Sequence, residues 1–78
     1  LHKGEHFKVL VIGFKNGMVL KEHKAHMPSK LTVMDGSVEY RQGDDIVLLS
    51  KHDSFDIPVG EVHSVWANED SLCLLTQG

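Results

Sequence analysis

The sequence predicts an all-β fold, a jelly-roll barrel of about eight short antiparallel strands. Short apolar runs recur along the chain and are broken by Gly, Asn, Asp or Pro roughly every eight to ten positions. Apolar and polar residues alternate within several runs, which is the period of a half-buried strand, and no window shows the period of an amphipathic helix. Strands at such regular spacing are typical of a β-sandwich or barrel, and a jelly roll uses eight of them.

Local turn signals separate the predicted strands in chain order. Asn16-Gly17 follows the first strand and is a hairpin signal. Asp35-Gly36 ends the third strand, and Pro58 ends the sixth because proline cannot donate to a sheet ladder. The predicted strands cover residues 7–14, 18–23, 29–34, 37–41, 46–49, 54–57, 62–67 and 71–77.

The length of 78 residues predicts a single domain that covers residues 1–78. A chain of this size buries only ~60% of the surface that its unfolded form exposes, so its core is thin. A metal ion or a partner subunit would add useful stability to such a core. A short barrel also leaves strand edges and an apolar face uncovered. We therefore predict a homodimer.

Composition and charge exclude several classes of function. The net charge is −3 and the eight Lys and Arg residues are scattered, so no nucleic-acid partner is expected. No apolar run approaches the ~18 residues of a membrane span, and no signal-peptide pattern is visible. Cys73 is the only cysteine, which excludes an intrachain disulfide and a thiolate metal cluster. We interpret it as a small core residue and predict a cytoplasmic protein.

Six histidines raise the question of a metal site, because histidine is the commonest metal ligand. Gly60 permits a positive φ, and together with Pro58 it forms a sharp reversal shortly before His63. In the strand that follows, His63, Val65 and Ala67 share one face, which should be the inner face because its other members are apolar. His63 is therefore either a hydrogen-bonded core residue or a metal ligand at the barrel mouth.

Two further histidines lie at the end of the second strand. His23, Ala25 and Met27 share a face if the strand is regular, and His26 points the other way. His23 and His26 can both face one metal ion only if a bulge or bend lies between them. The alternative is one inner histidine and one solvated histidine.

These residues resemble the two sequence motifs of the cupin family. The second cupin motif has the pattern G-x5-P-x-G-x2-H-x3-N, and Pro58, Gly60 and His63 match it. Asn68 stands one residue beyond the asparagine of the motif, and His52 stands at its leading glycine.

The first cupin motif has the pattern G-x5-H-x-H-x3-4-E-x6-G, and three of its positions match: Gly17, His23 and Gly36. Ala25 stands at the second histidine, with His26 one step later, and Ser29 stands at the glutamate. Together the two resemblances span most of the chain.

The resemblance implies a barrel with one divalent metal ion bound inside it. His23 and His63 stand at ligand positions of the two cupin motifs, so the resemblance implies that they are metal ligands. His26 is a candidate third ligand because it lies close to His23 in the sequence. The metal is expected to be zinc, iron, nickel, copper or manganese, and the missing carboxylate lowers the affinity for manganese. The charge of such a site favours a small anionic or carbonyl-containing molecule in the open positions.

Several large side chains are candidates for the walls of a ligand pocket: Leu31, Val33, Tyr40 and Phe55. The alternative for all of them is packing in the core or at a dimer interface. Trp66 lies opposite His63 in strand parity and should face outward or pack at an interface.

Three functions follow from the resemblance and stay open at this point. The first is a metalloenzyme of oxygenase, isomerase or decarboxylase type. The second is a non-enzymatic cupin that binds or senses a small ligand with a degenerate metal site. The third is a barrel whose histidines are only structural, because a fold does not fix a function.

Overall fold

The computed structural model describes residues 8–24 and 26–77, and every regular element among them is a β-strand. Each predicted strand is present within one residue of its predicted ends. No helix long and apolar enough to cross a membrane occurs among the described residues. The strands are β1 (Lys8–Phe14), β2 (Val19–Lys24), β3 (Ser29–Asp35), β4 (Ser37–Gln42), β5 (Asp45–Ser50), β6 (Ser54–Ile57), β7 (Val62–Ala67) and β8 (Ser71–Gln77).

The eight strands form two four-stranded sheets in which every paired strand is antiparallel. The first sheet has the order β1-β8-β3-β6 and the second has the order β2-β7-β4-β5. Strands that follow each other in sequence lie in different sheets, except for the hairpin of β4 and β5. This interleaving is that of a jelly roll, so the predicted fold class is confirmed.

The turn at Asn16-Gly17 does not close a hairpin, and that part of the prediction is wrong. β1 pairs with β8 and β2 pairs with β7, so the turn crosses from one sheet to the other. The Met18 N–H donates to the Lys15 carbonyl at 2.9 Å and closes the turn. The Gly17 N–H donates to the Ala67 carbonyl at 3.1 Å, which ties the turn to β7. The local signal sets the reversal, whereas long-range pairing sets the partner strands.

The hydrophobic core lies between the sheets and takes side chains from both. Tyr40 is the largest fully buried side chain. Cys73 is also fully buried, as predicted for a small core residue, and burial raises the pKa of its thiol. The first sheet contributes Phe14, Leu31, Val33, Ile57 and Cys73, and the second contributes Val38, Tyr40, Leu49, Val65 and Ala67.

Gly36 forms the corner at which the chain passes from β3 in the first sheet to β4 in the second. Its φ of 88° lies in the left-handed region that glycine tolerates best. A Cβ at this position would lie 2.5 Å from the Asp70 carbonyl oxygen and 2.7 Å from the Ser71 Cα. The Ser37 N–H donates to the Ser71 Oγ at 3.0 Å, which holds the start of β8 against the corner. The corner therefore requires glycine for both conformation and space.

Replacing Gly36 by alanine is expected to lower the free energy of unfolding by about 3 kcal/mol, because the penalty of a left-handed φ and the penalty of a backbone clash add together. Gly17 is the matched control, since its φ is 87° and nothing lies within 4 Å of a Cβ built there. Gly17→Ala should therefore cost only about 1 kcal/mol. Urea unfolding of both variants measures the difference, and equal losses would contradict the steric account of the corner.

Candidate functional site

A cavity of about 450 Å³ opens at one end of the barrel and contains two of the histidines that the sequence singles out. Its volume is in the range of small-molecule sites. Its walls come from the end of β2, the segment that follows it, the start of β3 and the facing parts of β6, β7 and β8. The described lining residues are Lys24, His26, Met27, Ser29, Ile57, His63, Leu75 and Gln77.

A second cavity, of about 410 Å³, lies at the other end of β8. Phe14, Asp35, Asp70 and Ser71 are among its walls, and its described lining includes no histidine. The cavity at His63 is the candidate site because residues from both sequence motifs meet there.

β7 carries His63 to the wall of the candidate site. His63, Val65 and Ala67 are 3%, 2% and 6% exposed, so the predicted inner face of this strand is confirmed. The His63 Nδ1 lies 3.2 Å from the Glu61 carbonyl oxygen. A carbonyl only accepts hydrogen bonds, so Nδ1 carries a proton in this contact. Metal-ligating histidines commonly donate their second ring nitrogen to a carbonyl in this way.

The turn before β7 places the carbonyl that orients His63. Pro58 directly follows β6, and Gly60 has a φ of 84°, in the left-handed region that glycine permits. The chain passes here from the first sheet to the second. Glu61 follows this glycine, so the reversal sets its carbonyl against the imidazole two residues further on.

The backbone register places His23 directly opposite His63. Leu20 pairs with Val65 and His23 pairs with His63, so β2 has one more residue than β7 between these two pairs. Such a register shift is that of a β-bulge, and it lies before His23 rather than after it. The side chain of His23 and the whole of Ala25 lie outside the part of the chain that the structure describes.

His26 and Ser29 line the same cavity as His63. His26 is exposed, whereas Ser29 is 7% exposed at the start of β3. The Ser29 Oγ donates to the Met27 carbonyl at 3.0 Å. The structure therefore brings His26, His63 and Ser29 to one cavity. Ser29 stands at the glutamate position of the cupin motif.

The predicted metal-ligand set is His23, His26 and His63. Among the side chains that the structure describes, no group of three or more His, Cys, Asp or Glu residues is placed to hold a metal ion. The His23 side chain falls outside that description, so the three-histidine set stays a prediction.

The described lining of the cavity carries no carboxylate. Lys24 contributes an exposed ammonium group, and Gln77 contributes a half-buried amide. Met27, Ile57 and Leu75 contribute apolar surface. A few polar groups that converge on an apolar cavity are typical of small-molecule sites, and this balance of charge favours an anionic ligand.

Sequence reasoning missed Ile57 and Gln77 as neighbours of Ser29. The register pairs Ser29 with Ile57 of β6 on one side and with Gln77 of β8 on the other. The three residues therefore form one row across the first sheet at its cavity end. Both strands were predicted from the sequence. Their pairing with β3 is a long-range contact, and no local sequence pattern indicates it.

The four predicted pocket walls lie in or against the core. Leu31, Val33 and Tyr40 are buried members of the core, and Phe55 packs against it. None of the four is among the described lining residues of the cavity. The structure shows the core packing that the sequence left as the alternative, and their assignment to a ligand pocket stays a prediction.

Tyr40 stands between the core and His63. Its ring stacks on the His63 imidazole with centroids 5.2 Å apart and planes inclined by 23°, and it contacts Phe55 at a centroid distance of 4.5 Å. Its hydroxyl donates to the Gln42 Oε1 at 2.8 Å. Burial raises the pKa of Tyr40, and the negative charge of Glu61 raises it further. The hydroxyl therefore stays protonated and keeps its donor role at neutral pH.

Trp66 lies on the outer face of β7, as its parity with His63 predicts, and is 38% exposed. The Arg41 guanidinium lies over the indole, 4.0 Å from the ring centroid, and forms an ion pair with Glu39 at 2.7 Å. The Trp66 Nε1 donates to the Ser64 Oγ at 2.9 Å. Trp66 therefore belongs to the outer surface of the second sheet.

Comparison with known proteins bears on the fold and its family. No protein-family model matches the chain, and no curated protein matches it. A cupin superfamily protein from Desulfitobacterium hafniense matches with a TM-score of 0.89 over 99% of this chain and 71% of that chain, at 14% identity. An RmlC-like cupin protein from Desulfovibrio desulfuricans matches with a TM-score of 0.82 over 97% and 74%, at 26% identity. The chain has a cupin fold.

This cupin is also similar to KdgF from a Halomonas species, with a TM-score of 0.80 and 26% identity over 91% of this chain and 67% of that chain. All three of these solved structures are longer chains than this cupin, which spans 67% to 74% of their lengths. These similarities establish the cupin fold.

Proposed function

We propose that this cupin binds a divalent metal ion and a small anionic or carbonyl-containing molecule in the cavity at His63. The observation that supports this most strongly is the convergence of motif residues on one end of the barrel. His63 and His26 line the same cavity, and the register sets His23 opposite His63. These are the three histidines that the sequence assigns to a metal site.

The donor set suits particular metals and a particular chemistry. Imidazole nitrogens favour zinc, iron, nickel or copper, whereas manganese prefers oxygen ligands. His23 and His63 would hold the ion with His26 as the third ligand, which leaves positions for a substrate. A bound divalent ion would polarise a carbonyl group or activate oxygen, which is the chemistry of an isomerase, a decarboxylase or an oxygenase.

The residues around the histidines favour a short carboxylate as the ligand. Lys24 would offset its negative charge, and the amide of Gln77 can donate to its oxygens. Met27, Ile57 and Leu75 would pack against an aliphatic portion. A like-charged carboxylate in the wall would oppose such a ligand, and none is present among the described lining residues.

One observation favours the alternative of a non-enzymatic binding cupin with a degenerate metal site. Ser29 stands where the cupin motif has glutamate, and its hydroxyl donates to the Met27 carbonyl. A serine in this role supplies no anionic ligand, which weakens the hold on a metal ion. Under this alternative the carboxylate ligand binds through Lys24 and the imidazoles alone.

The purified cupin is expected to take up one zinc ion per chain. His63→Ala is expected to lose this ion, because alanine has no imidazole nitrogen to bind it. Elemental analysis after incubation with zinc and desalting measures the stoichiometry. His52→Asn is the matched control: His52 is exposed, its φ of 78° suits asparagine, and it is not among the described lining residues.

Zinc retained by His63→Ala, or lost equally by His52→Asn, would contradict the assignment of the site. If wild type binds neither zinc, iron, nickel, copper nor manganese, the metalloenzyme proposal is wrong and the non-enzymatic alternative stands.

We also propose that the cupin is a cytoplasmic homodimer. A lone buried cysteine fits a reducing compartment, where disulfides are rare. β1 is an edge strand of the first sheet, and Val9, Val11 and Leu72 are 49%, 67% and 42% exposed on β1 and its neighbour β8. An exposed apolar edge of this kind can pair with another chain, and a second copy of the cupin would cover it.

Val11→Lys is expected to convert the dimer to a monomer, because a charged side chain on the edge opposes close pairing. Light scattering coupled to size-exclusion chromatography measures the mass. Val59→Lys is the control, since Val59 is 53% exposed in the turn between β6 and β7. A wild-type mass equal to one chain would contradict the dimer, and a Val11→Lys variant that stays dimeric would move the interface away from β1.

A further inference from the structure

We propose that a cavity on the outer face of the second sheet, at Ser64 and Trp66, is a second binding site that takes a small aromatic carboxylate. The cavity has a volume of about 390 Å³, which is in the range of small-molecule sites. Its described lining residues are Val19, Lys21, Ser64 and Trp66. Ser64 and Trp66 alternate with His63 along β7 and point to the opposite side of the sheet, so the second site does not depend on the proposed function.

The pairing of β7 with both of its neighbours builds the walls of this cavity. β7 lies between β2 and β4 in the second sheet. Trp66 pairs with Val19 of β2 on one side and with Glu39 of β4 on the other. Val19 is 36% exposed and lines the cavity, so it gives the site an apolar wall beside the indole.

The β-bulge of β2 lies directly beside Ser64. Between the residues that pair with Val65 and His63, β2 has two residues, Lys21 and Glu22, where β7 has Ser64 alone. A bulge bends its strand and re-aims a side chain, and bulges are common next to functional sites. Lys21 belongs to this bulge and lines the cavity.

The Ser64 hydroxyl supplies a buried hydrogen-bond donor at the cavity. Ser64 is 6% exposed, and its Oγ accepts a hydrogen bond from the Trp66 Nε1 at 2.9 Å. A hydroxyl also carries a proton that it can donate. No acceptor for this proton lies within hydrogen-bond distance among residues 8–24 and 26–77. A buried donor without an acceptor is unfavourable, so the site favours a ligand with an acceptor oxygen.

The Trp66 indole supplies aromatic surface to the ligand. The Arg41 guanidinium lies over the ring, 4.0 Å from its centroid, and Trp66 nevertheless remains 38% exposed. Aromatic rings that stack or meet edge to face gain more than the burial of their area alone. The site therefore favours an aromatic ligand over an aliphatic one of similar size.

The charges around the indole favour a carboxylate as the acceptor group. Among the described side chains there, Lys21 and Arg41 are cationic, and Glu39, which pairs with Arg41, is anionic. No carboxylate is among the described lining residues of the cavity. A hydrogen bond from the Ser64 hydroxyl to a carboxylate is charge-assisted and stronger than one to a neutral carbonyl.

Titration of the wild-type cupin with benzoate tests the inference, because Trp66 is the only tryptophan in the chain. Its fluorescence reports on the ring, and its indole N–H gives a single signal in nitrogen-15 NMR. Benzoate is expected to change both signals saturably, with a dissociation constant on the order of 1 mM. Neutral benzamide and cationic benzylamine should each bind about tenfold more weakly or worse.

Ser64→Ala is expected to weaken benzoate binding about tenfold, because alanine has no hydroxyl to donate to the carboxylate. Ser54→Ala is the matched control, since it removes an exposed serine from β6 of the first sheet and should bind benzoate as wild type does. Wild-type affinity in Ser64→Ala, or an equal loss in Ser54→Ala, would overturn the inference.

The wild-type titration is decisive even if Ser64→Ala fails to fold. The absence of a saturable change with benzoate, or tighter binding of benzylamine than of benzoate, would overturn the inference. Benzoate that shifts the Ser29 and Gln77 amides and leaves the indole N–H unchanged would support the cavity at His63 and overturn the second site. A shifted indole N–H in a cupin that takes up no zinc would support the second site although the metal proposal had failed.

Discussion

The inner face of β7 is the constraint on which both the core and the candidate site depend. Its alternation turns His63, Val65 and Ala67 toward the space between the two sheets. Val65 and Ala67 complete the hydrophobic core, and the same alternation carries the imidazole to the cavity wall. A shift of this strand by one residue would expose the core positions and turn the imidazole outward. Fold and site are therefore specified by one register.

This arrangement ties the site to the most buried part of a small barrel. The His63 ring lies on Tyr40, which is the largest fully buried side chain. A thin core has few residues to spare, so a large change at Tyr40 is expected to disturb both the core and the ring at the cavity wall.

Much of the fold could be predicted because its signals are local. Short apolar runs and the turn signals between them predicted all eight strands, and Gly60 was recognised as a residue that permits a positive φ. The inward direction of His63 and the outward direction of Trp66 followed from parity alone. The Asn16-Gly17 turn shows the limit, because a turn signal predicts a reversal but not whether the two strands pair.

The site was less predictable for a related physical reason. Parity tells which side chains point inward but not how deep along the barrel they lie, so the sequence left Leu31 and Val33 as either pocket walls or core residues, and both pack in the core. The described lining of the cavity at His63 lies near strand ends, where Ser29 is flanked by Ile57 and Gln77. Such rows are set by long-range pairing, which the sequence of one chain does not display.

The proposed binding site is the barrel end at His63 rather than the opposite end. Amide chemical-shift mapping of the cupin with zinc, and then with a short aliphatic monocarboxylate and its neutral amide, distinguishes the two ends. We expect shifts centred on Ser29, His63 and Gln77, with the carboxylate producing larger changes than the amide. Shifts centred on the cavity of Phe14, Asp35 and Asp70 would contradict this expectation.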